Sequence, residues 1–263
     1  MIERLLKIMA CLRDPEQGCP WDRQQSLQTI VPHTLEEAYE VAEAIERGRM
    51  DELREELGDL LFQVVFYAQL AKESGDFEFK DIVEGIAEKL IRRHPHVFGD
   101  ARIEDAEAQA TAWELHKEKE RQAKASKEPV SLLDGITRAL PALTRAYKLQ
   151  QRAARVGFDW SVIEAVIARI EEELGEVRLA LNEQNDRQHL QDEVGDLLFT
   201  CVNLSRFAQI DPETALRRAN AKFERRFRFI ESALARQGRT PGQASLEEMD
   251  RLWEEAKRQE TAP

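Results

Sequence analysis

An acidic pattern that occurs twice in the same order constrains this chain more than any other feature. Glu36-Glu37-Ala38-Tyr39-Glu40 returns as Glu172-Glu173-Leu174-Gly175-Glu176, an offset of 136 residues (172 − 36). Glu56-Leu57-Gly58-Asp59-Leu60-Leu61-Phe62 returns as Glu193-Val194-Gly195-Asp196-Leu197-Leu198-Phe199, an offset of 137 (193 − 56). Lys89 with Arg92 and Arg93 answers to Lys222 with Arg225 and Arg226, at 133 (222 − 89). Trp113 with Lys117 answers to Trp253 with Lys257, at 140 (253 − 113). Four landmarks recurring in one order at nearly one spacing mark a duplicated module.

The repeat dictates a domain plan. Between the copies, the run EKERQAKASKEPVS from Glu118 to Ser131 is charged, loses apolar periodicity and contains Pro129, as an interdomain connection would. We therefore expect a first module over 1–120, a linker over 121–136 and a second module over 137–263. Only 12 Gly and 9 Pro interrupt 263 residues, which favours long helices over turn-rich sheets and predicts an all-α chain of two helical bundles. Apolar spacing predicts helices at 2–13, 34–47, 51–73, 79–93 and 104–124, then 141–155, 161–183, 187–208, 212–236 and 245–259. Thr34 and Ser245 are placed to cap helices, and Gly75, Gly99 and Gly238 to stop them. His94-Pro95-His96 reads as a rigid turn.

Charge and cysteine content narrow the function classes. With 50 Asp and Glu against 38 Lys and Arg, the net charge of −12 repels a nucleic-acid backbone. A small anionic ligand requires local cations. Cys11, Cys19 and Cys201 are too few and too scattered for a disulfide framework, which fits reduced thiols in the cytoplasm. The start carries no signal-peptide pattern, and the most apolar stretch, Leu60 to Ala71, is too short to span a bilayer.

Helical periodicity turns the acidic motifs into a constellation. Residues three or four apart share a helix face, so Glu37 pairs with Glu40, Glu56 with Asp59, Glu173 with Glu176 and Glu193 with Asp196. Antiparallel packing would bring four carboxylates of each half to one point, where a hard divalent cation relieves their repulsion. All-oxygen ligands favour Mg²⁺, with Mn²⁺ as a substitute. A single EExxE is more often a solvated helix face, and it is the pairing and the duplication that carry the metal reading. A di-iron site would need Glu-x-x-His on two helices. None of His33, His94, His96, His116 and His189 has a Glu three positions earlier. The apolar runs after Asp59 and Asp196 predict buried helices, and Gly58 and Gly195 predict close approach by a backbone or a ligand.

Lys222 and Arg226, four apart, offer an ammonium and a guanidinium on one face for phosphate oxygens, with Arg225 beside them. Trp253 and Lys257 form a second same-face pair that could stack a base and meet a phosphate. Trp21 and Trp160, each beside an aspartate, could close a pocket or staple a loop. Seven residues beyond the motif aspartates, the second half has Asn203 where the first has Phe66. A polar side chain in an apolar run needs a partner, which a ribose or base would supply.

These motifs, with Gly18-Cys19-Pro20-Trp21-Asp22 and Leu35-Glu36-Glu37, resemble the tandem-domain bacterial form of the MazG family over nearly the whole chain. The resemblance implies an all-α nucleoside triphosphate pyrophosphohydrolase of broad base tolerance, dependent on Mg²⁺ and releasing monophosphate and pyrophosphate. It implies that Glu173, Glu176, Glu193 and Asp196 ligate metal and that Glu172 orients or deprotonates water. It further implies that Lys222 and Arg226 hold phosphates, that Trp253 faces the base, and that modules pair in a dimer. Glu37, Glu40, Glu56 and Asp59 form a second candidate metal set, and Asn203 makes the second half the expected principal catalyst. The competing reading is a non-catalytic acidic bundle used for dimerisation or partner binding.

Overall fold

The computed structural model describes residues 1–99, 105, 131–182 and 186–261. The chain divides into two compact units, Met1–Glu120 and Arg121–Pro263. All regular elements among the described residues are helical.

In the first unit, α1 (Ile2–Leu12) and the short α2 (Pro20–Gln24) precede the long pair α3 (Leu27–Arg47) and α4 (Met50–Ser74). These are followed by α5 (Phe79–Arg93) and a four-residue turn of helix, α6 (Pro95–Phe98). α3 packs along α4, and α1 and α5 lie against α4. The core is Met9, Ile30, Val65, Phe66 and Leu70, with Leu5, Leu6, Phe62 and Phe79 at its margin.

The start of α3 differs from the expected 34. Ser26 accepts the backbone N–H of Thr29, and Thr29 in turn accepts that of Ser26, so a capping box opens the helix at Leu27. Pro32 is carried inside the helix. Thr34 is no cap: its hydroxyl bonds back to the Ile30 carbonyl and meets the Tyr67 hydroxyl at 2.9 Å. Gly75 ends α4 in the left-handed conformation, φ 79°, which a side chain would strain. His94-Pro95-His96 opens α6 rather than forming a bare turn, with Gly99 just after it in extended backbone. The expected helix at 104–124, with Trp113 and Lys117, lies outside the described residues.

The second unit repeats the plan with α7 (Ala142–Ala154), α8 (Ile163–Asn182), α9 (Arg187–Phe207), α10 (Pro212–Ala235), a 3₁₀ turn (Pro241–Gln243) and α11 (Leu246–Thr261). α8 packs along α9, α7 lies against α9, and α10 packs against α11. Asp186, Asp211 and Ser245 cap α9, α10 and α11 by accepting backbone N–H groups. Gly238 sits three residues past the end of α10 at φ 70°. Residues 131–136 pack into this unit, with Ile136 buried and Arg152 donating to the Leu132 and Asp134 carbonyls.

Two expectations about α4 and α9 need correction. Among the described residues, nothing outside the helix's own backbone and the chain neighbours lies within 4 Å of a Cβ added at Gly58 or Gly195, so of the two expected partners no neighbouring backbone presses on either glycine, and the ligand alternative stands. α4 is buried along its second half, whereas on α9 only Thr200 and Val202 are. Leu198 and Phe199 stay exposed, although α7 packs against α9 and Gln150 donates to the Phe199 carbonyl.

Candidate metal and nucleotide site

The antiparallel pair α8 and α9 does what the spacing requires. One carboxylate oxygen each from Glu173, Glu193 and Asp196 lies within 4.8 Å of the others. Glu173 is buried at 3% exposure, Glu193 is half-buried and Asp196 is open to solvent. The buried Glu173 Oε2 has no hydrogen-bond partner. A buried oxygen without a partner, on a carboxylate grouped with two others, is costly unless a cation completes the group. Burial raises the Glu173 pKa, the Arg169 guanidinium works against that, and Glu176 and Asp196 add to the rise. Glu176 is thus a close neighbour of the cluster, although it stands outside the three-way group.

Sequence reading missed Arg169. It reaches Glu172 and Glu173 at 2.7 Å each and Glu176 at 3.9 Å, bridging the whole EExxE motif from one turn upstream. Its i, i+3 and i, i+4 spacing to the glutamates was the available signal. His189 approaches Glu193 at 3.4 Å.

Beside the cluster lies a cavity of about 690 Å³, whose wall includes Glu173, Asp196, Asn203, Arg206, Phe158 and Trp160. That volume suits a nucleotide-sized ligand. Asn203 lines it, and its Oδ1 accepts from Arg206 at 2.8 and 3.1 Å, a protein partner where the sequence led us to expect a ribose or base. Arg206 is anchored by an ion pair to Asp159. Trp160 therefore lines the cavity, while Trp21 of the first unit rests edge-on against His33. Phe158, Asp159 and Arg206 were not singled out, because only tertiary packing unites the Phe158-Asp159-Trp160 turn with α9.

The basic residues gather elsewhere. Arg226 pairs with Glu260 at 2.8 Å and stacks 5.4 Å from the Trp253 ring, which also meets Phe223. Arg225 reaches the same Glu260, Lys257 pairs with Glu254, and Lys222 is exposed. None of these five lines the cavity.

In the first unit, Glu37, Glu56 and Asp59 form a matching cluster within 4.8 Å, again with the outer glutamate, Glu40, beside it. Lys89 is half-buried and Arg93 buried on α5. Burial and then the Asp59 and Glu40 charges raise the Glu37 pKa, and burial with Glu40, Asp59, Glu55 and Glu52 raises that of Glu56. An acid held above its ordinary 4.5 destabilises the fold while ionised. The penalty is full above the raised folded value and vanishes as pH falls to the unfolded one. Without added divalent cation, Glu37→Gln should therefore raise Tm at pH 7, with an advantage that shrinks toward pH 4.5. Melting curves across that range check it, and an advantage that grows on acidification contradicts it.

Comparison with known proteins places this geometry in context. Residues 25–98 and 162–228 each match the family described as the MazG nucleotide pyrophosphohydrolase domain. The chain is 51% identical over 260 residues to the nucleoside triphosphate pyrophosphohydrolase of Escherichia coli (strain K12), covering 98% of both chains. It is 45% identical over 257 residues to the nucleoside triphosphate pyrophosphohydrolase/pyrophosphatase MazG of Thermotoga maritima, covering 98% of this chain and 96% of that one. A nucleoside triphosphate pyrophosphohydrolase of Mycobacterium tuberculosis is 31% identical over 235 residues, 89% of this chain and 60% of its own.

Proposed function

The chain belongs to the MazG nucleotide pyrophosphohydrolase family, and on that premise we propose that its second half hydrolyses nucleoside triphosphates to monophosphate and pyrophosphate with Mg²⁺. The observation that carries this reading is the carboxylate cluster in the wall of a nucleotide-sized cavity. Ribo- and deoxyribonucleotides of several bases are the substrates, consistent with a cavity wall that is mainly apolar and aromatic, and the role is control of the nucleotide pool. The cysteine content fits the cytoplasm, and no helix among the described residues is long and apolar enough to cross a membrane. We take 1–120 and 137–263 as the two domains, with 121–136 as the connection whose last residues dock on the second.

The donor set fits the metal: hard carboxylate oxygens, one of them buried without a partner. Glu173, Glu193 and Asp196, with Glu176 beside them, would hold Mg²⁺ or its substitute Mn²⁺. When bound, the ion supplies charge neutralisation for phosphate oxygens and lowers the pKa of a coordinated water. Glu172, exposed and tethered through Arg169, orients or accepts a proton from the attacking water. Asn203, held by Arg206, donates from its amide to the sugar or base. Phe158 and Trp160 give the cavity an aromatic wall against which a base or sugar packs.

Lys222, Arg225, Arg226 and Lys257 hold phosphates and Trp253 meets the base. These residues stand apart from the cavity wall, and pairing of two copies would bring them to it. Such pairing is supported by the exposed apolar side chains Val194 and Leu198, which stand one turn apart on α9. The net charge of −12 disfavours nucleic acid as a partner. A panel of ribo- and deoxynucleoside triphosphates, incubated with Mg²⁺ and resolved by chromatography, tests the activity. Monophosphate and pyrophosphate are the expected products; diphosphate with orthophosphate would overturn the assignment.

A further inference from the structure

At the end of α1 in the first unit lies a cavity of about 350 Å³ that none of the clustered carboxylates lines. Arg4, Lys7, Ile8 and Cys11 line it from α1, where spacings of three and four residues put them on one helix face. Cys19 lines it from the loop beyond the helix end. The volume is in the range of small-ligand sites.

A tight loop brings the two cysteines to this cavity. Cys19 donates its backbone N–H to the Leu12 carbonyl at 2.8 Å, and Gly18 donates to that of Asp14 at 2.9 Å. The Asp14 carboxylate accepts the backbone N–H groups of Glu16 and Gln17 and fixes the turn. A Cβ at Gly18 would stand 2.5 Å from the Leu12 and Asp14 carbonyl oxygens, an approach that glycine permits and a side chain does not. The chain therefore doubles back on the last turn of α1. Cys11 and Cys19, eight residues apart (19 − 11), open on the same space.

The surroundings of this pair suit a ligand. Cys11 is exposed and Cys19 half-buried. Arg4 and Lys7 are exposed, and among the described residues no side-chain hydrogen bond or ion pair engages either. Two unengaged cations and two thiols in one cavity wall match a small molecule that carries both carboxylates and sulfur. Cys201 differs: it lines neither this cavity nor the one beside α9, and desolvation raises its thiol pKa.

We propose that Cys11 and Cys19 form a redox-active dithiol site whose oxidant is a small disulfide bearing carboxylates, of the glutathione class, held by Arg4 and Lys7. The thiolate of the exposed Cys11 attacks one sulfur of the bound disulfide. That S–S bond breaks, one half leaves as a thiol, and Cys11 keeps the other as a mixed disulfide. Cys19 then attacks the Cys11 sulfur and expels the second half. Two cysteine thiols are oxidised to one disulfide, the small disulfide is reduced to two thiols, and the two cysteine protons leave on those thiols. The new bond ties the end of α1 to the N-cap residue of α2. It involves no residue of the hydrolytic site, so the two readings stand or fall separately.

The reduced full chain, treated with oxidised glutathione, is read by intact mass and by peptide mapping after alkylation of the remaining thiols. The expected product is an intrachain Cys11–Cys19 disulfide, with Cys201 alkylated. Cys19→Ser should stop the reaction at one glutathionyl group on Cys11, and Cys11→Ser should leave Cys19 alkylated. Cys19→Ala serves the same purpose if melting curves show that the serine loosens the loop. Arg4→Gln with Lys7→Gln should slow the reaction of oxidised glutathione about tenfold and leave that of uncharged hydroxyethyl disulfide unchanged. Reaction at neither cysteine, adducts confined to Cys201, or a bond between two chains in place of the intrachain one overturns the proposal. A mixed disulfide on Cys11 that persists in the unsubstituted chain overturns the part given to Cys19. An unchanged rate after removal of the two charges overturns the part given to Arg4 and Lys7.

Discussion

Glu173→Gln is expected to lower kcat for triphosphate hydrolysis by about 10³-fold or more, while Glu37→Gln leaves it within about twofold. The asymmetry follows from placement. Glu173 is the buried anchor of the second-half cluster and forms part of the cavity wall, with one oxygen on Arg169 and the other unpartnered. The amide removes the charge that a bound cation and Arg169 both require, and keeps the shape. Glu37 anchors a similar cluster whose neighbouring register position is the core residue Phe66. Steady-state kinetics on both variants, with melting curves to exclude unfolding, check the expectation. Equal losses from the two substitutions would move the catalysis to both halves.

The second large effect is on stability and separates the halves at one register. Phe66→Ala should destabilise the first unit by about 3–5 kcal/mol, because it empties a fully buried ring site bounded by Met9, Ile30, Val65 and Leu70. Arg13 then loses the ring it covers, although its pair with Glu73 remains. Asn203→Ala removes an amide from a cavity wall and not from a core, so it should leave the melting temperature nearly unchanged. It should instead raise KM about tenfold, a change of about 1.4 kcal/mol in binding. Denaturant titration of both variants and kinetics of the second distinguish the roles. A stable Phe66→Ala chain, or an unchanged KM for Asn203→Ala, would contradict this division.

The carboxylates were legible in the sequence because their grouping is local: spacing of three and four places Glu173 with Glu176 and Glu193 with Asp196 on any helix. Short loops then leave antiparallel packing as the way to join the two faces, and α8 with α9 and α3 with α4 pack so. Helix bounds came from apolar period and fell within two residues for α1, α4, α5 and α7 to α11, among them α11 behind the Ser245 cap. They failed at α3, where Pro32 masked a helix that the Ser26–Thr29 capping box had already started.

Arg206 and Asp159 escaped notice for a different reason. They are 47 residues apart, and nothing local signals that the turn before α8 folds onto α9. The exposed face at Leu198 and Phe199 was misread as buried because an apolar run records the need for cover without saying which chain supplies it.

The most direct test of the central claim is anomalous diffraction from crystals soaked in Mn²⁺ with a non-hydrolysable nucleoside triphosphate. A peak bounded by Glu173, Glu193 and Asp196, with phosphate density against it and the nucleoside in the cavity beside Asn203, is the expected result. Triphosphate bound elsewhere, with no anomalous peak among those three carboxylates at saturating Mn²⁺, would contradict it.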